Sequence, residues 1–583
     1  MHSRVEGMSV EIDVLVTTRD GLTLAADVFR PDRDGTFPVL LTYGPYGKSL
    51  HFADGYAGQW RHMCEDHPDI PAGSTNQFQA WELPDPEKWV PDGYVLVRVD
   101  SRGSGRSPGY IDPWSPQETQ DLYDCIEWAA AQPWSTGKVG LTGISYYAMN
   151  QWQAAALRPP HLAAICPWEG TSDAYRELSR HGGMLCSFLD GWYAAQVATV
   201  QNGLGANAAT SRIDGRSVAG ETTLSPDELA QRRIDLSALM REHPFDDDIW
   251  HARRAVLEKI EVPVLAAGNW GGPPHLRGSV EGFLRVGSDQ KWLELHGLEH
   301  WTHYYTDYGR LLQKEFFDHF LHDKDNGWAD RPRVILNARH VDGTFEHRAE
   351  EDWPLPQTVW TRLHLDADHA QLTVSANANG SSVSYIPGDA GATFRFPVDE
   401  ELEITGPLAA KLFVSSETSD ADLFVIVRVL DPNDAEVTFV GVVDPRMPVT
   451  SGWLRASRRR LDPSLSSDVR PYHSHLADEP LTPGEVYEVD IEIWPTSVII
   501  PAGYTLALTV QGIDFDHGLP DDDNDLGWLT GMRGVGPFFH ADPQDRPDDV
   551  FTGRVTVHSG GTQDSYLLVP FVPRQTLPAT RTT

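Results

Sequence analysis

The pattern of apolar and polar positions changes character along the chain. Residues 12–30 alternate in the manner of a β-hairpin, and residues 39–42, 94–99, 138–141 and 162–166 are short apolar runs of strand length. Amphipathic helical patterns separate several of these runs. Such an alternation predicts a mostly parallel sheet with helices on both of its faces.

One helix has a clear predicted start. Ser115-Pro116-Gln117-Glu118 combines an N-cap serine, a first-turn proline and a glutamate at the capping-box position. Leu122, Cys125, Ile126 and Ala129 then recur at helical spacing. The segment is therefore predicted to be a helix that buries this stripe.

The pattern is different between residues 174 and 255. Helical patterns over residues 227–240 and 247–258 replace the strands there, which predicts a helical cap inserted after a strand. The β–α alternation resumes at residues 262–267 and 292–295, and an amphipathic helix follows over residues 308–321.

Alternating β-patterns dominate from about residue 330 onwards. Residues 423–430, 486–493 and 504–510 are examples, separated by turns rich in proline and glycine. This part is predicted to be a β-sandwich.

Length and charge exclude several classes of protein. A chain of 583 residues exceeds one hydrophobic core, so two or three domains are expected. The net charge of −37 opposes binding to nucleic acid or to an anionic membrane. The N-terminal residues lack a hydrophobic core segment, so no signal peptide is predicted, and no run reaches the ~18 apolar residues of a spanning helix. A soluble, cytoplasmic protein is expected.

Metal and disulfide chemistry are not predicted. The four cysteines, Cys64, Cys125, Cys166 and Cys186, have no metal-type spacing and are too few for a disulfide framework. The acidic clusters at residues 246–248 and 521–523 lack EF-hand spacing. No metal ion or organic cofactor is expected.

The most informative residue is Ser145, in Gly143-Ile144-Ser145 between a predicted strand and a predicted helix. A serine on such a sharp turn exposes its hydroxyl beside the backbone N–H groups of the helix N-terminus, which suits a nucleophile. The alternative is an ordinary turn serine.

Three candidate bases, His296, His300 and His303, follow the last predicted strand. His300 is preferred because its loop can turn back over the sheet edge, and His303 is the second candidate.

A family resemblance rests on motifs spread over nearly the whole chain. They are Arg19-Asp20-Gly21, Asp27-Val28-Phe29-Arg30-Pro31, Pro45-Tyr46, Asp100-Ser101-Arg102-Gly103-Ser104-Gly105, Gly143-Ile144-Ser145-Tyr146, Gln151-Trp152, Asp173-Ala174-Tyr175-Arg176, Gly452-Trp453-Leu454-Arg455-Ala456, His558 and Leu567-Leu568-Val569-Pro570. The chain resembles the cocaine-esterase-like and X-prolyl-dipeptidyl-peptidase-like hydrolases, which include α-amino-acid ester hydrolases and glutaryl acylases.

The resemblance implies an α/β-hydrolase domain (residues 1–173 and 256–325), a helical cap (174–255) and a C-terminal jelly-roll β-sandwich (330–583). It also implies an oxyanion hole formed by the Tyr46 hydroxyl and the Tyr146 backbone N–H.

The sequence departs from the family at the triad acid. The expected aspartate position corresponds to Gly271, and no carboxylate lies in the loop around it. An unsupported histidine lacks a fixed tautomer, so another acid is required. Glu169, directly after the preceding strand, is predicted to be that acid. Its alternative role is to line the cap or to bind a substrate amine, and Asp173 is the next candidate. Glu299 is expected to face away.

These residues together predict a serine acyl hydrolase that cleaves an ester or amide bond of a small molecule through an acyl-enzyme. Two alternatives stay open: a dipeptidyl peptidase acting on X-Pro N-termini, and a non-catalytic protein whose β-sandwich binds glycans. A homodimer would fit the family.

Overall fold

The N-terminal half is built on a sheet whose central strands run parallel. The computed structural model describes residues 2–5, 7–519, 526–529 and 531–573. The N-terminal strands are β1 (His2–Val5), β2 (Met8–Thr17), β3 (Thr23–Pro31), β4 (Phe37–Gly44), β5 (Val95–Asp100), β6 (Ser135–Ile144), β7 (Leu162–Trp168), β8 (Arg180–His181), β9 (Met184–Leu185), β10 (Val264–Asn269), β11 (Lys291–His296), β12 (Val334–His340) and β13 (Phe345–Glu350).

Short and long helices surround these strands. They are α1 (Phe52–Gly55), α2 (Ala57–Asp66), α3 (Pro86–Trp89), α4 (Pro116–Ala130), α5 (Tyr146–Ala156), α6 (Phe188–Trp192), α7 (Pro226–Ala230), α8 (Leu236–Glu242), α9 (Asp248–His251), α10 (Leu276–Arg285), α11 (Thr302–Tyr305), α12 (Asp307–Leu321) and, near the C-terminus, α13 (Asp548–Phe551).

Hydrogen-bond pairing gives the strand order β1-β2-β3-β5-β4-β6-β7-β10-β11-β12-β13. Neighbours from β5 to β12 are parallel, and the pairs at both ends are antiparallel. The carboxyl ends of β6, β7, β10 and β11 therefore lie along one edge of the sheet. The predicted parallel sheet is present.

Both faces of this sheet are buried, as the continuous apolar runs indicated. Along β5, Leu96 packs into one apolar cluster with residues of α12, whereas Val95 and Val97 pack into another with residues of α4, α5 and α10. Side chains alternate across a strand, so helices on two sides are needed to cover such runs.

Helix α4 begins where the sequence predicts, but with a different cap. Ser115 accepts a hydrogen bond from the Glu118 N–H at 3.3 Å. The reciprocal capping-box bond is absent, because the Glu118 carboxylate instead accepts from the Trp114 N–H at 2.7 Å and from the Tyr146 hydroxyl. The glutamate thus links this helix to the residue that follows Ser145.

The predicted long helices between residues 174 and 255 are shorter in the structure. The pattern over 227–240 is divided into α7 and α8, because Ile111 forms a β-bridge with Arg233 and hydrogen bonds with Arg232 and Ile234. The pattern over 247–258 gives only α9 and a later 3₁₀ turn, Leu257–Lys259. Non-local pairing here outweighs helical propensity.

The C-terminal part consists mainly of antiparallel strands. They are β14 (Val359–Asp366), β15 (Gln371–Thr373), β16 (Ser381–Tyr385), β17 (Ala392–Pro397), β18 (Leu402–Ser416), β19 (Asp422–Leu430), β20 (Glu436–Val437), β21 (Thr450–Arg455), β22 (Tyr487–Ile500), β23 (Thr505–Gln511), β24 (Val555–Ser559) and β25 (Tyr566–Phe571). They enclose an apolar cluster of their own. Strand β22 also pairs with β12 and so joins the two halves. Among the described residues, no helix has the length and apolarity needed to cross a membrane.

Candidate active site

The ends of three strands bring the predicted catalytic residues to one edge of the sheet. Ser145 follows β6 and Glu169 follows β7, and the last residues of these strands, Ile144 and Trp168, are register partners. The Ser145 N–H donates to the Trp168 carbonyl at 3.1 Å. His300 lies on the loop after β11. The parallel register is therefore what places serine and glutamate side by side.

Three residues at this edge have left-handed backbone conformations that non-glycine residues rarely adopt. Their φ angles are +58° at Ser145, +52° at Glu169 and +62° at Glu82. Each such residue costs of order 1–3 kcal/mol, and such strain is common at active sites. For Ser145, the turn between β6 and α5 has the geometry expected of an exposed nucleophile.

Glu169 is held between two histidines. Its Oε2 lies 2.8 Å from Nδ1 of His300, and its Oε1 lies 2.8 Å from Nε2 of His296. Glu169 is fully buried. Burial raises the pKa of this carboxyl, but His300 and His296 together outweigh it and lower the pKa to about 2. Glu169 is thus an ionised carboxylate at the nitrogen that a triad acid must orient.

The other nitrogen of His300 has a partner that the sequence did not predict. Nε2 lies 2.9 Å from Oε1 of Glu82, which comes from the segment between α2 and α3. Within the described residues, the Ser145 hydroxyl has no hydrogen-bond partner, so the expected Ser145–His300 bond is not formed. Glu82 is nevertheless close to the nucleophile, because its backbone carbonyl accepts from the Ile144 N–H at 3.2 Å.

The charges around His300 favour an imidazolium ion. Burial lowers its pKa, but Glu169 and then Glu82 act in the opposite direction and raise it to about 10. Burial raises the pKa of Glu82 to about 7, despite the opposing effect of His300. The second oxygen of Glu82 is buried and makes no hydrogen bond. One carboxylate oxygen is therefore still available to a donor.

Alternating acids and histidines extend inward from this pair. Glu294 Oε2 lies 2.6 Å from Nδ1 of His296, and its Oε1 lies 3.4 Å from Nε2 of His303. Burial lowers the pKa of His296, but Glu294 and Glu169 act in the opposite direction and raise it to about 9. His296 thus fixes Glu169 from the side opposite to His300.

The alternative residues are engaged elsewhere. Nε2 of His303 faces Glu294, Glu299 accepts from the Thr302 hydroxyl at 3.1 Å, and Asp173 pairs with Arg176 at 2.9 Å and with Arg254 at 2.6 Å. None of these three makes a hydrogen bond to His300 among the described residues.

Gly271, the position at which the family resemblance implies an aspartate, has no room for a side chain in this fold. A Cβ atom added to Gly271 would lie 2.3 Å from the backbone of Gly441, in the C-terminal half. Atoms at that separation overlap. The backbone of the C-terminal half therefore occupies the space that a side chain at this position would need.

The predicted oxyanion residues also lie together. The rings of Tyr46 and Tyr146 are 6.0 Å apart, and Tyr146 is the first residue of α5. The Trp192 indole N–H donates to the Tyr46 hydroxyl oxygen at 2.9 Å. Because indole only donates, the Tyr46 proton stays available for another acceptor. Burial raises the pKa of Tyr46 well above its usual value, so the phenol keeps that proton.

Sequence reasoning missed Glu82, Glu294 and Trp192. Glu82 had one weak signal, an acidic residue within the apolar run Ala80-Trp81-Glu82-Leu83. Trp192 had no signal of a site role, because isolated tryptophans are usually core residues. An ion pair between Asp100 and Arg102, which their spacing in this glycine-rich loop suggests, is not formed, since Arg102 binds Asp121 and Asp20.

Two groups of side chains in the described part could hold a metal ion by distance: Glu294 with His296 and His303, and His181 with Cys186 and His540. In the first group, both nitrogens of His296 already face carboxylates. It therefore belongs to the acid–histidine network of the active site.

The chain matches known proteins over most of its length. The sequence model of the family X-Pro dipeptidyl-peptidase (S15 family) matches residues 20–305. The sequence model of the X-Pro dipeptidyl-peptidase C-terminal non-catalytic domain matches residues 326–568. A solved CocE/NonD family hydrolase from Staphylococcus aureus is 34% identical, with a TM-score of 0.83, over 97% of this chain and 94% of that one. The chain belongs to the CocE/NonD family.

More distant relatives of this CocE/NonD protein carry esterase names. A cocaine esterase from Rhodococcus sp. is 26% identical over 97% of this chain and 99% of the relative. A putative serine esterase from Mycobacterium bovis is 23% identical over 88% of this chain and 92% of the relative. The resemblance inferred from the motifs is confirmed.

Proposed function

We propose that this protein is a serine acyl hydrolase with the triad Ser145, His300 and Glu169 and an oxyanion hole formed by Tyr46 and the Tyr146 N–H. The observation that carries the proposal is the 2.8 Å contact between Glu169 Oε2 and His300 Nδ1, at the strand end beside Ser145. Family membership supports the reaction class: the chain is a serine hydrolase of ester or amide bonds.

The reaction follows from these positions. Neutral His300 takes the Ser145 proton on Nε2 while Oγ bonds to the substrate carbonyl carbon. Tyr46 and the Tyr146 N–H stabilise the oxyanion that forms. Its collapse expels an alcohol or amine, which takes the proton from His300. Water then attacks the acyl-enzyme by the same route and releases the acid.

Glu82 sets a condition on this cycle. Its carboxylate occupies Nε2 of His300 in the free protein, so that nitrogen has to leave Glu82 before it accepts the serine proton. A substrate donor that binds Glu82 would make this exchange easier, because it replaces the imidazolium as the partner of the carboxylate.

The substrate is proposed to be a small molecule. Tyr46, Glu82, Glu169 and His300 are buried, whereas Ser145 is partly exposed. Substrate can therefore approach mainly at the serine, between aromatic side chains. No membrane or nucleic acid is needed for this chemistry.

The finer architecture is part of the same proposal. The parallel sheet supports an α/β-hydrolase domain formed by residues 1–173 and 256–325, with a helical cap over 174–255. The antiparallel strands support a jelly-roll over 330–583. The cytoplasmic location and the homodimer stay predictions.

A second candidate function, hydrolysis of aminoacyl or X-Pro substrates, is favoured by Glu82. A buried carboxylate with one unpaired oxygen beside the nucleophile suits a free α-ammonium group. The non-catalytic alternative was suggested by the missing aspartate, and the position of Glu169 removes that argument.

A fluorophosphonate probe followed by peptide mapping tests the proposal. We expect one labelled serine, Ser145, and no label in Ser145→Ala. Absence of label on Ser145 in folded protein would exclude the mechanism. Rates on p-nitrophenyl acyl esters and on Xaa-Pro-anilides then separate the two candidate substrates: a marked preference for the anilides favours the peptidase.

A further inference from the structure

A second cluster of buried ligand-type side chains lies away from the triad, where the two halves of the chain meet. His181 ends β8, Cys186 follows β9, and His540 precedes α13. All three are fully buried. One ligand atom from each lies within 4.8 Å of the other two. A backbone hydrogen bond of 2.9 Å from Ser187 to Phe539 holds the two chain segments together.

The outer nitrogen of each histidine faces an acceptor. His181 Nε2 lies 3.1 Å from the Glu177 backbone carbonyl, and His540 Nδ1 lies 2.7 Å from Oδ1 of Asp514. A carbonyl and a carboxylate only accept hydrogen bonds, so both outer nitrogens carry protons. This arrangement, histidine N–H to carbonyl or carboxylate, is the usual outer shell of a metal-binding histidine.

The two inner nitrogens consequently face each other. His181 Nδ1 and His540 Nε2 are 3.0 Å apart. If both rings are neutral, each inner nitrogen presents a lone pair to the other across this short gap, and the two lone pairs repel each other. A cation between them removes the conflict, either a shared proton or a metal ion.

Cys186 favours the metal ion over the proton. Its sulfur supplies a third ligand of the kind that Zn²⁺ prefers. Tetrahedral zinc with bonds of about 2.0–2.1 Å would separate the two nitrogens by about 3.3 Å, only slightly more than observed.

Aromatic side chains hold the rings in place. The Trp453 ring lies 4.9 Å from that of His181 and 6.0 Å from that of His540, and Phe424 lies 5.6 Å from His540. The two histidines are therefore positioned before any ion binds.

We propose that His181, Cys186 and His540 supply three of the four ligands of a Zn²⁺ site that links the catalytic half to the C-terminal half. The ligands His181 and His540 are 359 residues apart in sequence, so cysteine spacing gave no sign of the site. The proposal does not rest on the catalytic mechanism, because none of these residues contacts the triad.

The test uses the full chain, freed of metal by a chelator and titrated with Co²⁺, whose thiolate complexes absorb in the near ultraviolet. We expect one equivalent to produce a thiolate-to-cobalt charge-transfer band and the strong visible bands of tetrahedral cobalt, and Zn²⁺ to displace it. Zn²⁺ should also raise the melting temperature by several degrees.

Cys186→Ser should abolish the charge-transfer band, and His540→Gln should weaken Co²⁺ binding at least tenfold. Cys64→Ser is the matched control and should retain the spectrum, because Cys64 lies outside the cluster, on α2. Absence of a one-equivalent band in wild-type protein would overturn the proposal and leave a shared proton as the explanation. Fluorophosphonate labelling of Ser145, measured in parallel, reports separately on the proposed function.

Discussion

Glu82→Gln removes the negative charge that faces Nε2 of His300 and keeps the size of the side chain. In the free protein, Glu169 and Glu82 raise the pKa of His300 from 6.5 to about 10 against the effect of burial. A base that is protonated up to this pH limits catalysis at neutral pH. The variant should therefore make His300 neutral over a wider pH range.

The size of the effect follows from the 2.9 Å contact. A single opposite charge at such a distance shifts a pKa by about 1–3 units. Because Glu169 contributes more than Glu82, we expect the pKa of His300 to fall by about 1–2 units. The neutral fraction of His300 then rises roughly 10- to 100-fold at any pH well below the lowered pKa of the variant.

The assay is kcat/KM for an uncharged p-nitrophenyl acyl ester between about pH 6 and pH 11, a range that includes the free-enzyme pKa of the base. Wild-type activity should rise through pH 10, and the Glu82→Gln midpoint should lie lower, with a higher rate at neutral pH. Glu299→Gln is the control, because Glu299 is next to His300 in sequence but binds Thr302. An unchanged midpoint, or a lower rate at every pH, would refute this reasoning.

Further variants test the remaining parts of the site. Glu169→Gln should lower kcat by about 10⁴-fold, as for loss of a triad acid, and near wild-type turnover would exclude it from that role. Tyr46→Phe should lower kcat by about 10²–10³-fold with little change in KM, in steady-state kinetics. Gly271→Ala should lower the melting temperature because its Cβ would lie 2.3 Å from backbone, whereas Gly380→Ala, with open space around it, should not. Because the pKa of His300 is raised, its protonation contributes fully to folding stability below about pH 6.5, and this contribution is lost as the pH rises through 10. The free energy of unfolding should therefore fall more in alkali for wild-type protein than for His300→Gln.

Local patterns in the sequence determined the strands, the main helices and the position of the nucleophile. Buried strands and capped helices are encoded by neighbouring residues, so β6, β7 and α4 could be predicted from hydrophobic periodicity and one capping motif. The strand order of a parallel sheet also places Ser145 and Glu169 side by side once both follow adjacent strands. This is why the contact of Glu169 with His300 could be anticipated.

Tertiary structure alone decided which groups the buried polar side chains contact. The contact of Glu82 with His300 joins residues 218 positions apart, and the histidines of the proposed zinc site are 359 positions apart. Such partners depend on how separate segments pack, and periodicity has no information about that. The same holds for the Ile111 bridge that divides a predicted helix and for the backbone that fills the space beside Gly271. Neighbouring residues determine local secondary structure, whereas the ionisation states of a buried site depend on contacts made only when the whole chain is folded.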